Sequence, residues 1–265
     1  MNTIMINLGT SNSIQFLGIL LMGACIGAIA GYIGSLMVTK RMALMGGALG
    51  HLTLPGVSLG LLYGFDVSLG ALLFLGFGIF LIWLFEQKTG LPLEALTAVV
   101  FATSLAIAFL FLPEREAYTA LIGDISHIPF TAITISIIIS LIIFVIIRTL
   151  MPQLVLTSIS SDLARIEGYK VAGITLIYLV CIALIVAMGV RIVGGLMTAA
   201  LVSIPACASS NISKSLVLYN YTSLIFGALS CMSGIAISLA TGIPAGPLII
   251  ITSGSIFLLT LLVKK

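Results

Sequence analysis

Unbroken apolar runs of about twenty residues constrain this chain more than any other feature. The stretch "AITISIIISLIIFVII" (Ala132 to Ile147) is apolar on every face, and an α-helix needs about 20 such residues to cross about 30 Å of hydrocarbon. A transmembrane β-barrel would instead alternate apolar and polar residues over shorter segments. Charged residues make up only 7% of the chain. The sequence therefore predicts an all-α, multi-pass membrane protein with a single transmembrane domain, residues 1–265.

Charges, prolines and glycine-rich turns divide the chain into nine candidate spans. They are residues 14–38, 42–63, 67–85, 93–112, 129–150, 171–189, 192–210, 215–240 and 244–263. The seventh span contains Gly194, Gly195 and Pro205, so it is open whether that helix is continuous, broken or re-entrant. With the N-terminus outside, nine basic residues lie on the inner side and only Arg115 and Arg191 on the outer side. This positive-inside bias predicts a protein of the cell membrane with its N-terminus outside and its C-terminus inside.

His51 lies near the middle of the second predicted span, about 13 Å from its inner end. An ionisable side chain at that depth normally faces the bundle or a wet cavity, which makes it a candidate functional residue. Imidazole is a common ligand of zinc, manganese and iron. The alternative is a neutral histidine that is hydrogen-bonded between helices. Pro55 has no N–H for the carbonyl of His51, so we expect the helix to kink beside the histidine.

Glycines recur every four residues in the first two predicted spans. The two series are Gly23, Gly27 and Gly31, and Gly56, Gly60 and Gly64. A stripe of glycines on one helix face allows two backbones to approach closely. Both series therefore predict tight helix packing.

Two connections between spans are long enough to hold structure. The inner one contains "SSDLARIEG", which predicts a short amphipathic helix after a polar start, with Gly168 as its C-cap. So short a helix has little packing of its own and needs a partner surface. The outer one, residues 113–129, carries His127 close to Asp124 and predicts a solvated loop or a short surface helix.

Several function classes lack their signatures in this sequence. There is no Walker A pattern and no metalloprotease H-E-x-x-H, and every Asp and Glu lies near a predicted membrane edge, unlike the carboxylates of many ion-driven carriers. The energy source is therefore expected in a separate cytoplasmic subunit, and the chain itself is not expected to be an enzyme. A secondary carrier or channel that works alone, with His51 as proton relay or gate, stays open as the alternative. A structural scaffold would leave His51 unexplained.

Three stretches resemble the membrane permeases of ABC importers for zinc, manganese and iron. They are "RMALMGGALGHLTLPGVSLG", "SSDLARIEGYKVAG" and "RIVGGLMTAALVSIPACAS", and they occur in the family's order. The resemblance implies a homodimer around a central pathway, two cytoplasmic ATPase subunits that bind ATP, and an extracytoplasmic binding protein that delivers the metal. It implies no permanently bound cofactor and no nucleic acid partner.

The resemblance also implies roles for two groups of residues. A cytoplasmic coupling segment, about 152–170, docks into the ATPase with four residues: Asp162, Arg165, Glu167 and Gly168. The translocation pathway includes Gly47, His51 and Pro55, with His51 as a transient metal ligand.

Gly47 departs from the family pattern, which has an aspartate there. Three explanations are open. The histidines of two copies act together; another carboxylate, Glu94 or Asp66, replaces the missing one; or the cargo is a chelated metal or a small organic nutrient.

Overall fold

The computed structural model describes residues 10–42, 45–63, 67–111, 128–194 and 197–263, and these residues form α-helices without any strand. The helices are α1 (Thr10–Thr39), α2 (Met45–His51), α3 (Leu54–Tyr63), α4 (Val67–Thr89), α5 (Leu93–Phe111), α6 (Phe130–Ile159), α7 (Ser161–Ile166), α8 (Val171–Val193), α9 (Thr198–Ile212), α10 (Leu216–Thr241) and α11 (Ala245–Val263). The predicted all-α fold is confirmed.

Six of the described helices are long and apolar enough to cross a membrane, namely α1, α4, α6, α8, α10 and α11. The apolar segments of α5 and α9 are shorter, and the second predicted span is divided into α2 and α3. The count of nine spans and the orientation of the termini stay predictions.

Several helix bounds differ from the prediction. α6 does not end at residue 150 but continues through Pro152 to Ile159, because the carbonyl freed by a proline can find other partners inside a helical bundle. α8 ends at Val193, where Gly194 adopts a φ of +88°, and α9 begins only at Thr198, so the predicted start of the seventh span at 192 is wrong. α9 is one continuous helix with a proline inside it. The predicted outer loop with His127 lies outside the described residues.

Close backbone contacts between glycines organise the bundle around α1, which packs against α6, α8, α9 and α10. A Cβ atom at Gly27 would run into the carbonyl oxygen of Gly227 on α10. In the second series, a Cβ atom at Gly56 would run into the carbonyl oxygen of Gly70 on α4. Only glycine permits this approach, so the predicted tight packing is confirmed at these positions.

Candidate functional site

The second predicted span is interrupted beside its histidine. α2 ends at His51, and a two-residue turn separates it from α3. Pro55, in the first turn of α3, offers no N–H to the carbonyl of His51. In the turn, the hydroxyl of Thr53 donates a hydrogen bond of 2.7 Å to the carbonyl of Gly50. The predicted kink is confirmed, and it leaves the His51 carbonyl without its usual helical donor.

The His51 side chain is half-buried against α5. Its ring centroid lies 5.4 Å from that of Phe101. Its Nδ1 atom is buried and makes no hydrogen bond with any residue that the structure describes. Buried polar atoms without a partner are costly and rare, and an imidazole nitrogen is a common metal ligand. At the break between α2 and α3, the Nδ1 atom of His51 is therefore free to bind a partner that is not among the described residues, such as a metal ion.

Gly47 lies one helical turn before His51 and faces α9. A Cβ atom at Gly47 would lie 2.8 Å from the Cβ of Ala199, closer than the roughly 3.5 Å at which carbon atoms pack. Next to this contact, the hydroxyl of Thr198 donates to the carbonyl of Gly46 at 3.2 Å, which holds the start of α9 against α2. An aspartate at position 47 does not fit at this helix separation, and no local sequence signal pointed to Ala199.

Of the two substitute carboxylates, only Glu94 lies among the described residues, and it does not lie beside the histidine. Glu94 lies in the first turn of α5, on the face that carries Phe101 but about 10 Å further along the helix. Asp66 lies outside the described residues. Among the residues that the structure describes, no group of three or more His, Cys, Asp and Glu side chains could hold a metal ion together. Of the predicted metal ligands among the described residues, His51 and Glu94, only His51 lies at the break between α2 and α3.

The inner connection contains the predicted short helix. α7 begins after Ser160, whose hydroxyl oxygen accepts a hydrogen bond from the N–H of Leu163 at 3.2 Å. It ends at Ile166, Glu167 is the C-cap, and Gly168 follows with a φ of +83°. The N–H of Gly168 donates to the carbonyl of Arg165 at 3.0 Å. The polar residues that begin the helix and the glycine that follows it are where the sequence predicts them. The predicted C-cap, Gly168, differs in one respect, because it lies one residue after the observed cap.

The surface of α7 combines weakly paired charges with exposed apolar side chains. Asp162 and Arg165 are exposed, with 3.9 Å between carboxylate and guanidinium. Ile159, Leu163 and Ile166 are 74%, 51% and 81% exposed, although α7 packs on α6 and α8. The sequence analysis identified the charges but not this apolar surface. Its signal in the sequence is the presence of three large aliphatic residues within an otherwise polar connection.

Known proteins resemble the chain over nearly its whole length. The model of the ABC 3 transport family matches residues 7–264. The chain is 27% identical to the "Manganese import system permease protein ScaB" of Streptococcus gordonii, over 89% of this chain and 86% of that protein. It is 27% identical to the "High-affinity zinc uptake system membrane protein ZnuB" of Buchnera aphidicola subsp. Baizongia pistaciae, over 92% and 96%. Its fold is similar to a chain of "PsaBC from Streptococcus pneumoniae in complex with Fab", with a TM-score of 0.78 and 24% identity over 92% and 90%.

These matches and the helix lengths agree on one assignment. Six described helices have the length and composition of membrane spans, and the family match covers nearly all 265 residues. The chain is a multi-pass protein of the cytoplasmic membrane and belongs to the ABC 3 transport family.

Proposed function

We propose that the chain is the membrane permease subunit of an ATP-driven importer for a divalent transition metal ion: zinc, manganese or iron. The observation that carries the proposal is the unbonded Nδ1 of His51 at a break within a membrane-length segment. Relatives named as manganese and zinc permeases support this class of cargo. ATP hydrolysis belongs to separate subunits, so the chain is not itself an enzyme.

The proposed assembly has two copies of this chain, two cytoplasmic ATPase subunits and an extracytoplasmic metal-binding protein. Each copy spans the membrane nine times, with the N-terminus outside and the C-terminus inside. Six long helices, the shorter α5 and α9, and the interrupted pair α2 and α3 are consistent with nine crossings. The excess of basic residues in the predicted inner connections supports the orientation.

The coupling segment, residues 152–170, consists of the last turns of α6, the helix α7 and the turn that follows it. Asp162, Arg165 and Glu167 provide exposed charges, and Gly168 fixes the direction in which the chain leaves α7. The exposed Ile159 and Ile166 favour a protein partner, since large apolar side chains are costly in water and are buried when an interface forms. We assign this surface to the cleft of the ATPase subunit.

The cargo site has one side-chain ligand in each copy, because Gly47 leaves no room for a carboxylate beside His51. Two histidines from two copies, with backbone carbonyl oxygens such as that of His51, would form a weak cation site. A weak site suits a pathway, since an ion must also leave it. A chelated metal or a small organic nutrient is the second candidate cargo, and it is favoured by the absence of a described carboxylate cluster at His51.

Uptake into sealed vesicles tests the proposed function. The vesicles contain this chain with its ATPase and binding protein, and manganese, zinc and ferrous iron are offered separately. We expect ATP-dependent uptake of one metal, a loss of more than about ten-fold in His51→Ala, as for an interaction on the path worth over about 1.4 kcal/mol, and little change in His127→Ala, the matched histidine control. ATP hydrolysis without metal uptake would redirect the search to chelates. Gradient-driven uptake without the ATPase would refute the importer and favour a secondary carrier.

A further inference from the structure

A half-buried lysine at the end of α1 contacts two other helices, at the end of the bundle that carries α7. Lys40 directly follows α1, and its ammonium donates to the hydroxyl oxygen of Thr157 on α6 at 3.4 Å. The same ammonium lies 5.2 Å from the ring centroid of Tyr178 on α8. Burial lowers the pKa of Lys40, and the Glu86 carboxylate on α4 opposes that shift.

The burial of Lys40 sets it apart from the other basic residues. Every other lysine or arginine whose side chain the structure describes is exposed. A buried cation is costly unless it has partners, and here the contacting partners come from two other helices, α6 and α8. The position of this ammonium is therefore fixed by its contacts with α6 and α8, while Glu86 on α4 acts on it only electrostatically.

The contacts of Lys40 lie between α7 and α2, the helix that carries the proposed cargo ligand His51 and is called the cargo segment. Thr157 precedes Ser160, the residue that caps α7, by less than one helical turn. On the C-terminal side of Lys40, Arg41 adopts a left-handed φ of +57°, and the N–H of Met42 donates a hydrogen bond of 2.7 Å to the carbonyl of Met37. This closed turn leads toward α2, which carries Gly47 and His51. Lys40 thus connects the base of α7 to the chain that leads into α2.

We propose that Lys40 is a positioning residue that couples movement of α7 to the cargo segment α2. This inference rests on the proposed function. When the ATPase moves α7, the end of α6 moves with it, and the Lys40 ammonium transfers that displacement to the turn before α2. A second path from α7 to α2 runs through α8, which packs on both helices. Because Tyr178 lies on α8, Lys40 contacts this path as well as the one through α6. Lys40 itself binds no cargo.

Four variants test the role of Lys40 in the assembled transporter. Lys40→Met keeps an unbranched side chain one atom shorter but removes its charge, and Lys40→Arg retains a cation that can reach Thr157 and Tyr178. Thr157→Val removes the hydroxyl that accepts from Lys40 and that also donates to the carbonyl of Leu154 in its own helix. Lys88→Met, at an exposed lysine on α4, is the matched control. The measured quantity is the number of metal ions imported per ATP hydrolysed, with the melting temperature of each variant measured in parallel.

We expect Lys40→Met to hydrolyse ATP and to melt like wild type, but to import about ten-fold fewer ions per ATP, as typical couplings between sites amount to roughly 5- to 150-fold. Lys40→Arg should keep most of the wild-type ratio of ions to ATP. Thr157→Val should lower this ratio less than Lys40→Met does. The double variant Lys40→Met with Thr157→Val should lose less than the product of the two single losses, because both changes remove the same contact.

Two results would overturn the assignment. One is a ratio in Lys40→Met equal to that of Lys88→Met. The other, decisive if Lys40→Met does not fold, is an unchanged ratio in Thr157→Val. If the wild-type complex itself imports no metal while hydrolysing ATP, the proposed function fails and this inference fails with it, whereas normal wild-type import with unaffected variants removes the inference alone.

Discussion

Substitution of Gly47 by aspartate tests the contact between α2 and α9. In Gly47→Asp, the new Cβ would lie 2.8 Å from the Cβ of Ala199. The two helices would have to separate by about 0.7 Å to reach ordinary carbon contact. That separation would also stretch the hydrogen bond from Thr198 to the carbonyl of Gly46, which is 3.2 Å long. Overpacking of this kind costs about 1–3 kcal/mol.

A second substitution should relieve the clash. In Gly47→Asp combined with Ala199→Gly, the Cβ of residue 199 is absent, and its Cα, 3.8 Å from the new Cβ, becomes the nearest atom at ordinary contact distance. Ala199→Gly alone costs about 1 kcal/mol, since glycine is a poor helix former. We therefore expect the double variant to be more stable than the sum of the two single changes by about 1–2 kcal/mol. The aspartate would then lie one turn from His51, at a spacing that suits a shared divalent ion.

The assay is thermal unfolding of the purified variants with and without Mn²⁺. Mn²⁺ should raise the melting temperature of the double variant more than that of Ala199→Gly, and His51→Ala added to the double variant should remove the difference. If Gly47→Asp alone is as stable as wild type, the α2–α9 contact is not what excludes a side chain at position 47. If Mn²⁺ stabilises the double variant no better than Ala199→Gly, positions 47 and 51 do not share a site.

Three further predictions concern the break, the α7 surface and the turn after it. Pro55→Ala restores an N–H donor and should leave the melting temperature unchanged or higher while uptake is lost; normal uptake would show that the break is dispensable. Ile166→Asp should change stability by less than about 0.5 kcal/mol because the side chain is 81% exposed, yet weaken copurification with the ATPase more than Asp162→Asn does, and equal effects would remove the apolar surface from the interface. Gly168→Ala should cost about 1 kcal/mol in unfolding free energy, since its φ is +83°. The control Gly173→Ala lies in helical α8, where a new Cβ would meet only the Cβ of Lys170 at 4.0 Å, an ordinary contact. It should not destabilise, so equal losses would refute the role of φ.

Features that depend on neighbouring residues were predictable from the sequence. Pro55 removes a donor from a carbonyl four residues earlier, so the break beside His51 follows from local chemistry. The limits of α7 follow in the same way from the polar residues around Ser160 and from Gly168. These signals act within one or two helical turns, and tertiary packing does not override them here.

Features that depend on distant residues were not predictable. The clash at Gly47 arises from Ala199, on a helix far along the chain, and neither residue type signals the contact. Pro152 indicated the end of a helix, but α6 continues through it to Ile159 because a bundle can satisfy a freed carbonyl in ways that the sequence does not reveal. The burial of Lys40 depends on contacts with α6 and α8, which lie far along the chain, and its sequence position beside Arg41 does not indicate it.

The length of α6 has a consequence for what can reach the apolar surface of α7. Its 30 residues span about 45 Å, against a bilayer of about 30 Å of hydrocarbon and about 40–45 Å with headgroups. If α6 starts at the outer hydrocarbon boundary, its last turns pass through the headgroup layer and stand clear of it. Ile166 then meets water rather than acyl chains, and lipid cannot shield it. In the proposed orientation, the helix would act as a spacer that holds α7 beyond the headgroups, where a protein partner can cover Ile166.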